Sequence, residues 1–216
     1  MKPPTNLTIR EITSSDDPAW PAWVELYLGC FPHEERVPVS YFLDLFAALT
    51  ESERAHEHVW VMEQFPVEVG PKEAESANVV GMAFTEFEPE LALAFLWYIA
   101  IKSGLRNQGY GTIFYDYLAQ ALQKQPAKVM LIEVEMPDGA EEAAVALRRI
   151  NWYRRLGAQV IQGIRYFQFI SPDIPPKEMW LMAHLFINLD AAEVFTLTKA
   201  YFAEYVSQQG ELSRYV

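Results

Sequence analysis

Leu96-Trp-Tyr-Ile-Ala-Ile-Lys-Ser-Gly-Leu-Arg-Asn-Gln-Gly-Tyr-Gly-Thr112 is the stretch on which the fold turns. Its first half continues an apolar run that begins at Leu91, the pattern of a central strand covered on both faces. Glycines follow at 104, 109 and 111. Beyond them Ile113, Phe114, Tyr117, Leu118, Ala121 and Leu122 recur at helical spacing and form a broad apolar stripe. A buried strand that passes through a glycine turn into a helix presents unpaired N–H groups and the positive end of a helix dipole to an anion. Gly109 and Gly111 carry no side chain, so a phosphate can approach the main chain, and Arg106 adds a fixed positive charge. A purely structural turn could use the same glycines; the place between strand and helix favours an anion site. No Gly-Lys-Ser/Thr follows, which excludes a P-loop. The third glycine and the spaced acidic residue of a dinucleotide fold are missing too.

Outward from this stretch the elements alternate. Leu7–Ile12 reads as an opening strand. Asp16-Asp17-Pro18 starts a helix that carries Trp20, Trp23, Leu26 and Leu28 and stops at Pro32, and a second helix spans about Ser40–Leu49. His58–Glu63 is a strand, Phe65–Asn78 an exposed loop, and Val79–Phe87 pairs with Leu91–Ile101 across Glu88-Pro89-Glu90. Val129–Glu135 places Met130, Ile132 and Val134 on one face and Val129, Leu131, Glu133 and Glu135 on the other. A helix from about Gly139 to Leu156 closes at Gly157. Gln159–Phe169 and Lys177–Ile187 are two strands. Asp190 and Glu193 form a reciprocal cap, after which Val194, Leu197, Tyr201 and Tyr205 give the last helix its stripe. The order predicts an α/β fold over residues 1–216 as a single domain: one mixed sheet with helices on both faces.

Composition narrows the classes. The chain has 216 residues, 51% hydrophobic and 21% charged, enough for a sizeable core. Its net charge of -12 argues against nucleic acid, whose phosphates call for a basic surface. Cys30 is the only cysteine, so no internal disulfide forms and a reducing cytoplasm is the default expectation. One cysteine and four scattered histidines do not compose a metal site. The run Leu91–Ile101 is far short of the ~20 residues of a membrane helix, and the first residues lack an apolar signal core.

Arg106-Asn-Gln-Gly109-Tyr-Gly111, at its strand–helix junction, resembles the acetyl-CoA signature Arg/Gln-x-x-Gly-x-Gly/Ala of the GNAT superfamily of N-acyltransferases. Ile150-Asn-Trp-Tyr-Arg-Arg-Leu-Gly-Ala158 is similar to the Tyr-x-x-x-Gly-Phe ending of that family's next helix. Phe31-Pro-His-Glu-Glu-Arg-Val-Pro38, Leu131-Ile-Glu-Val-Glu135 and Pro175-Pro-Lys-Glu-Met-Trp-Leu-Met182 resemble a bacterial branch. There are departures. Lys102-Ser-Gly-Leu lacks the common proline, Ala146 stands where asparagine is frequent, and Ala158 replaces phenylalanine.

The resemblance implies a mostly antiparallel sheet, splayed where the cofactor binds, with a motif-specific core over 79–170 and a C-terminal strand and helix over 177–208. It implies acetyl-CoA as the cofactor and a small-molecule or peptide amine as the acceptor. Ile99, Ala100 and Ile101 match the strand whose backbone pairs with the pantetheine arm and acetyl carbonyl. Arg106, Asn107, Gln108, Gly109, Tyr110, Gly111 and Thr112 match the pyrophosphate loop, and Tyr153 the tyrosine near the thioester sulfur. Glu34, Glu35 and Arg36 follow the first helix, where the family builds its acceptor site.

An alkyl amine is almost wholly protonated at neutral pH, so attack on a thioester needs a base, and the departing thiolate benefits from a proton donor. Tyr153 is the candidate donor, although it also completes a packed stripe with Ala146 and Ile150. Glu133 is the candidate base; the bland alternative is that Glu133 and Glu135 cluster at a solvated strand end, paired with Arg148 or Arg149. The expected function is acetyl transfer to a primary amine by direct attack. The alternatives are a non-catalytic acyl-CoA sensor and an unrelated phosphate-ligand binder. Neither membrane nor nucleic acid is an expected partner, and aromatics near the C-terminus would suit a homodimer.

Overall fold

The computed structural model describes residues 6–48, 56–65, 78–138, 142–168, 175–202 and 212–214. The fold is mixed α/β with an open mixed sheet and, among the described residues, five α-helices. The chain groups into two compact units: residues 1–86 with 97–121, and residues 87–96 with 122–216.

In the first unit, β1 (Leu7–Ile12) pairs antiparallel with β2 (Glu57–Gln64), and β2 antiparallel with β3 (Asn78–Glu88). Helices α1 (Trp20–Cys30) and α2 (Val39–Ala47) supply Trp20, Trp23, Tyr27, Phe42 and Leu45 to a core shared with Val59, Met82, Phe84 and Tyr98. These aromatics meet edge-on or offset: Trp23 stacks on Tyr27 with centroids 5.3 Å apart, and Phe42 stands edge-on to Phe84 at 5.1 Å. Such geometry sets the positive ring edge against the negative face, and it fixes α1 and α2 on the sheet more firmly than area alone would. Arg10 clasps the start of the chain: its guanidinium reaches Asp17 at 2.6 Å and Glu63 at 2.7 Å.

The strand at the centre, β4 (Leu93–Ile101), contributes to both units. Leu93 to Leu96 are all buried and pair parallel with β5 (Val129–Glu135), from Leu93↔Val129 to Leu96↔Ile132. That ladder stops there, although β4 runs on to Ile101. From Trp97 the burial alternates, with Tyr98 and Ala100 buried and Trp97, Ile99 and Ile101 half-buried. A strand apolar on both faces thus becomes one with a partly open side just before the glycine turn. The turn entering β4 holds Ala92 at φ 49°, with Ala92 N donating to Pro89 O at 3.2 Å.

In the second unit, β5 pairs antiparallel with β8 (Lys177–Leu185) along its whole length. Residues 159–169, expected as one strand, form two: β6 (Gln159–Val160) and β7 (Tyr166–Gln168), both antiparallel to β8. Val160 faces Met182 and Tyr166 faces Met179, so residues 161–165 have only Trp180 and Leu181 opposite them and loop out, with Gly163 at φ 78°. A ninth strand, β9 (Leu212–Arg214), not expected from the sequence, pairs parallel with β7. Most pairings are antiparallel, as expected.

Helices α3 (Tyr110–Lys124), α4 (Glu142–Arg155) and α5 (Ala191–Tyr201) follow the predicted order. Asp190 and Glu193 form the anticipated capping box, each side chain accepting from the other's main-chain N–H at 2.8 Å. The expected loop over 66–77, the start of the fourth helix at 139–141 and Tyr205 lie outside the described residues.

Candidate acyl-CoA site

Everything assigned to the pyrophosphate grip lies in the first unit, on β4, the following turn and the start of α3. Lys102 N donates to Val80 O at 2.9 Å, the last bond holding β4 to β3. Main-chain groups alternate sides along a strand, so Ile101 and Ile99 direct their N–H and C=O away from β3. Ile101 O is taken by Arg106 Nε at 3.1 Å. Ile99 lies beyond the end of the β4–β5 ladder, which leaves its edge available for an extended ligand chain to pair with.

The turn opens with a 3-10 segment, Ser103–Leu105, in which Leu105 N donates to Lys102 O at 2.9 Å. Asn107 then takes φ 62° and Gly109 φ 91°. Asparagine tolerates the left-handed region; at Gly109 a Cβ would be strained even though it would meet nothing within 4 Å. Gly109 O accepts from Ile113 N at 3.1 Å, the first bond of α3. Helix geometry leaves the preceding N–H groups unpaired, and among the described residues nothing accepts from the N–H groups of Gly109, Tyr110 and Gly111. Gln108 turns towards a carbonyl instead: its Nε2 donates to Gly104 O at 3.1 Å. Arg106 Nη2 also lies 3.6 Å from Cys30 Sγ. Lys102 and Arg106 are exposed, and no carboxylate occurs from residue 97 to residue 115 in a chain of net charge -12. Open amides, a helix N-terminus, empty space above Gly109 and two cations suit a diphosphate.

Gly81 has a different task. A Cβ there would come within 2.9 Å of Ile101 Cδ1 and 3.1 Å of Phe114 Cδ1. Its absence lets the end of β4 and the first turns of α3 pack closely on β3.

The acceptor candidates occupy the connection between α1 and α2. Glu34 is exposed and Glu35 half-buried on a 3-10 turn, His33–Glu35. Arg36 Nη1 donates to Leu28 O at 3.0 Å and Phe31 O at 2.9 Å, so it satisfies orphan carbonyls at the C-terminus of α1. This turn is held from behind by two tyrosines that the sequence did not single out. The Tyr98 hydroxyl oxygen, Oη, accepts from Val37 N at 3.1 Å and the hydroxyl donates to Glu35 O at 3.3 Å, while the Tyr27 hydroxyl donates to Val37 O at 2.9 Å. Burial raises the Tyr27 phenol well above the ordinary tyrosine range.

Tyr153 and Glu133 lie in the second unit. Tyr153, on α4, is 4% exposed, and burial pushes its phenol up to about 12, with Arg149 pulling weakly the other way. Glu133, on β5, accepts a short hydrogen bond from the Tyr166 hydroxyl and one from Gln168 Nε2 at 2.7 Å. Glu135 pairs with Arg149 at 2.6 Å and Lys177 at 3.5 Å, the strand-end pairing anticipated as the bland alternative. A Cβ added at Gly157, which closes α4, would stand 3.6 Å from His184 Cε1, and His184 pairs with Met130. Tyr166 pairs with Met179, which pairs with Glu135. Directly paired residues share a face, so the end of α4 and the Glu133 carboxylate lie on opposite faces of the β5–β8 pair.

A strand that loses its parallel partner, enters a glycine turn and starts a helix with bare amides has donors suited to a phosphorylated ligand. The chain belongs to the acetyltransferase (GNAT) family, whose model matches residues 20–158, and is thus an acyltransferase. Members of this family generally use acyl-CoA. Solved structures agree on the fold. A protein from Bacteroides thetaiotaomicron assigned to the GNAT family superposes with TM-score 0.68 at 22% identity, over 92% of this chain and 97% of its own. The ribosomal-protein-S18-alanine N-acetyltransferase from Escherichia coli gives 0.52 at 18% identity, over 85% and 96%. The IAA acetyltransferase from Bacillus cereus gives 0.53 at 12%, over 83% and 99%. No curated protein matches the chain in sequence. Among the described residues, no helix is long and apolar enough to cross a membrane, and no group of three His, Cys, Asp or Glu side chains is placed to hold a metal ion.

Proposed function

We propose that the protein is an acetyl-CoA-dependent N-acetyltransferase that passes the acetyl group to a primary amine by direct attack, with both substrates bound together. The observation that carries this is the uncapped turn: among the described residues nothing accepts from the N–H groups of Gly109, Tyr110 and Gly111, and Arg106 beside them is tied to Ile101. Bound acetyl-CoA supplies an activated thioester. The turn would hold its diphosphate, and the outward edge of Ile99 would orient the pantetheine arm and offer an N–H to the thioester carbonyl oxygen.

For proton handling, Tyr153 is the proposed donor to the departing sulfur. A phenol near 12 stays protonated throughout the working range, as a donor must. Glu133 suits a base less well than its position in the sequence promised, because both its oxygens already accept hydrogen bonds. A bound amine whose own pKa is lowered at the site would need only water to take its proton. The occupied Glu133 is also what favours the second possibility, an acyl-CoA sensor without turnover.

Two measurements separate these. Calorimetry with coenzyme A tests the grip, and thiol release from acetyl-CoA over an amine library tests turnover. Heat on binding together with amine-dependent release is the expected result. Binding without release for any amine leaves the sensor, and absence of binding removes both.

A further inference from the structure

We infer that Tyr98 is a positioning residue for the acceptor: its hydroxyl fixes the 33–37 turn to the strand that carries the acyl group, and so governs capture of the amine and not of the cofactor. This rests on the proposed function, and deepens it.

Tyr98 immediately precedes Ile99 on β4, and its ring is buried, 4% exposed. Alternation along the strand sends its side chain to the α1–α2 side, where it stands edge-on to Tyr27 at 5.1 Å and Phe31 at 4.9 Å. A phenylalanine would fill that space equally well. The hydroxyl adds two bonds to one short piece of main chain, the N–H of Val37 and the C=O of Glu35. Val37 is fully buried, so its N–H has no water to turn to. Among the described residues the turn is not part of the sheet, and Tyr27 adds a further tie from the core, on Val37 O.

A buried N–H left unpaired costs enough to shift a short turn in search of another acceptor. Shifting this one moves Glu34 and Glu35 relative to Ile99 while the 106–112 turn keeps every bond it has. Loss of a merely stabilising tyrosine would lower the melting temperature without favouring one substrate over the other.

The test compares wild type, Tyr98→Phe, and Val61→Ala as a core variant in β2 that loses stability without touching a tyrosine hydroxyl. Each is assayed for acetyl-CoA affinity by calorimetry and for steady-state acetylation of spermine, ethanolamine and an alanyl tripeptide amide. For Tyr98→Phe, acetyl-CoA affinity should stay within about twofold while KM for the amine rises about fivefold or more and kcat holds within about twofold. Val61→Ala should leave KM for the amine unchanged. An unchanged amine KM in Tyr98→Phe overturns the inference, as does an equal loss of acetyl-CoA affinity or the same KM rise in Val61→Ala. If wild type binds acetyl-CoA but acetylates none of the three amines, the inference falls and the cofactor site stands. If wild type binds no acetyl-CoA, the proposed function has failed first.

Discussion

Arg106 Nε donates to the carbonyl of Ile101 at 3.1 Å, so one of the two cations at the turn is tied to the last residue of β4. Strand edge and charge form one preorganised piece: wherever Ile101 is held by its close approach to Gly81, the guanidinium follows. Preorganisation of this kind lowers what a ligand must spend in ordering its site.

Replacing Arg106 by alanine should therefore weaken coenzyme A binding by roughly 10- to 100-fold, the loss of a charge-assisted contact worth about 1.5–3 kcal/mol. Lysine should recover only part of it, since a point charge cannot hold Ile101 O and a phosphate oxygen in one plane. Calorimetry at two salt concentrations checks both, and the alanine effect should shrink as salt rises.

Two glycines should fail in different ways. Gly109→Ala meets open space but a forbidden φ of 91°, which costs about 1–2 kcal/mol of stability. Its methyl also stands where a phosphate would approach, so coenzyme A affinity should drop further than stability does. Gly81→Ala meets Ile101 and Phe114 at 2.9 and 3.1 Å, an overpacking that should cost about 1–3 kcal/mol. Thermal melts with and without coenzyme A distinguish the two: the ligand-induced shift in Tm should vanish for Gly109→Ala and be reduced for Gly81→Ala.

Tyr153→Phe should lower kcat with little change in coenzyme A affinity, as expected for a group needed only when the thiolate leaves. Its titration also predicts the alkaline limb of stability. The folded phenol sits near 12 against an ordinary value of about 10. The unfolded chain therefore loses its proton first, and the contribution, present in full below about pH 10, is lost as pH rises towards 12. Tyr153→Phe should flatten that limb in urea melts taken between those values. An unaltered kcat would strip Tyr153 of its proposed role.

Arg10→Met should destabilise the first unit by about 1–3 kcal/mol, because it leaves Asp17 and the nearly buried Glu63 carboxylate without their cation. The hydrogen bond from Arg10 holds Asp17 below the usual carboxylate range. That stability is present above the unfolded value of about 4 and lost as pH falls through the lowered folded value. Acid melts of the wild type should show this loss, and those of Arg10→Met should show less of it.

Local chemistry was legible. The both-faces-apolar run, the glycines at 109 and 111 and the apolar stripe after them announce a strand, an anion-ready turn and a helix, because periodicity and φ preference act within a few residues. Asp190 with Glu193 is as local, and formed as expected. Residues 159–169 were less so. Their β-rich composition suits a strand, but whether it stays whole depends on how many residues of β8 lie opposite, and only Trp180 and Leu181 face 161–165.

The sequence by itself determined which segment passes from a buried strand through a glycine turn into a helix with unpaired amides at its start, since those amides are a property of the backbone and of glycine. Only the tertiary structure decided what the side chains there and elsewhere are occupied with. Arg36, expected at the acceptor, caps α1; Glu133, expected as a base, is held by Tyr166 and Gln168, 33 and 35 positions away. Tyr98, one more aromatic in an apolar run, proves to fasten main chain 61 and 63 positions distant. A hydroxyl or a carboxylate bonds to whatever strand register and helix packing bring within 3 Å, and no spacing along the chain encodes that.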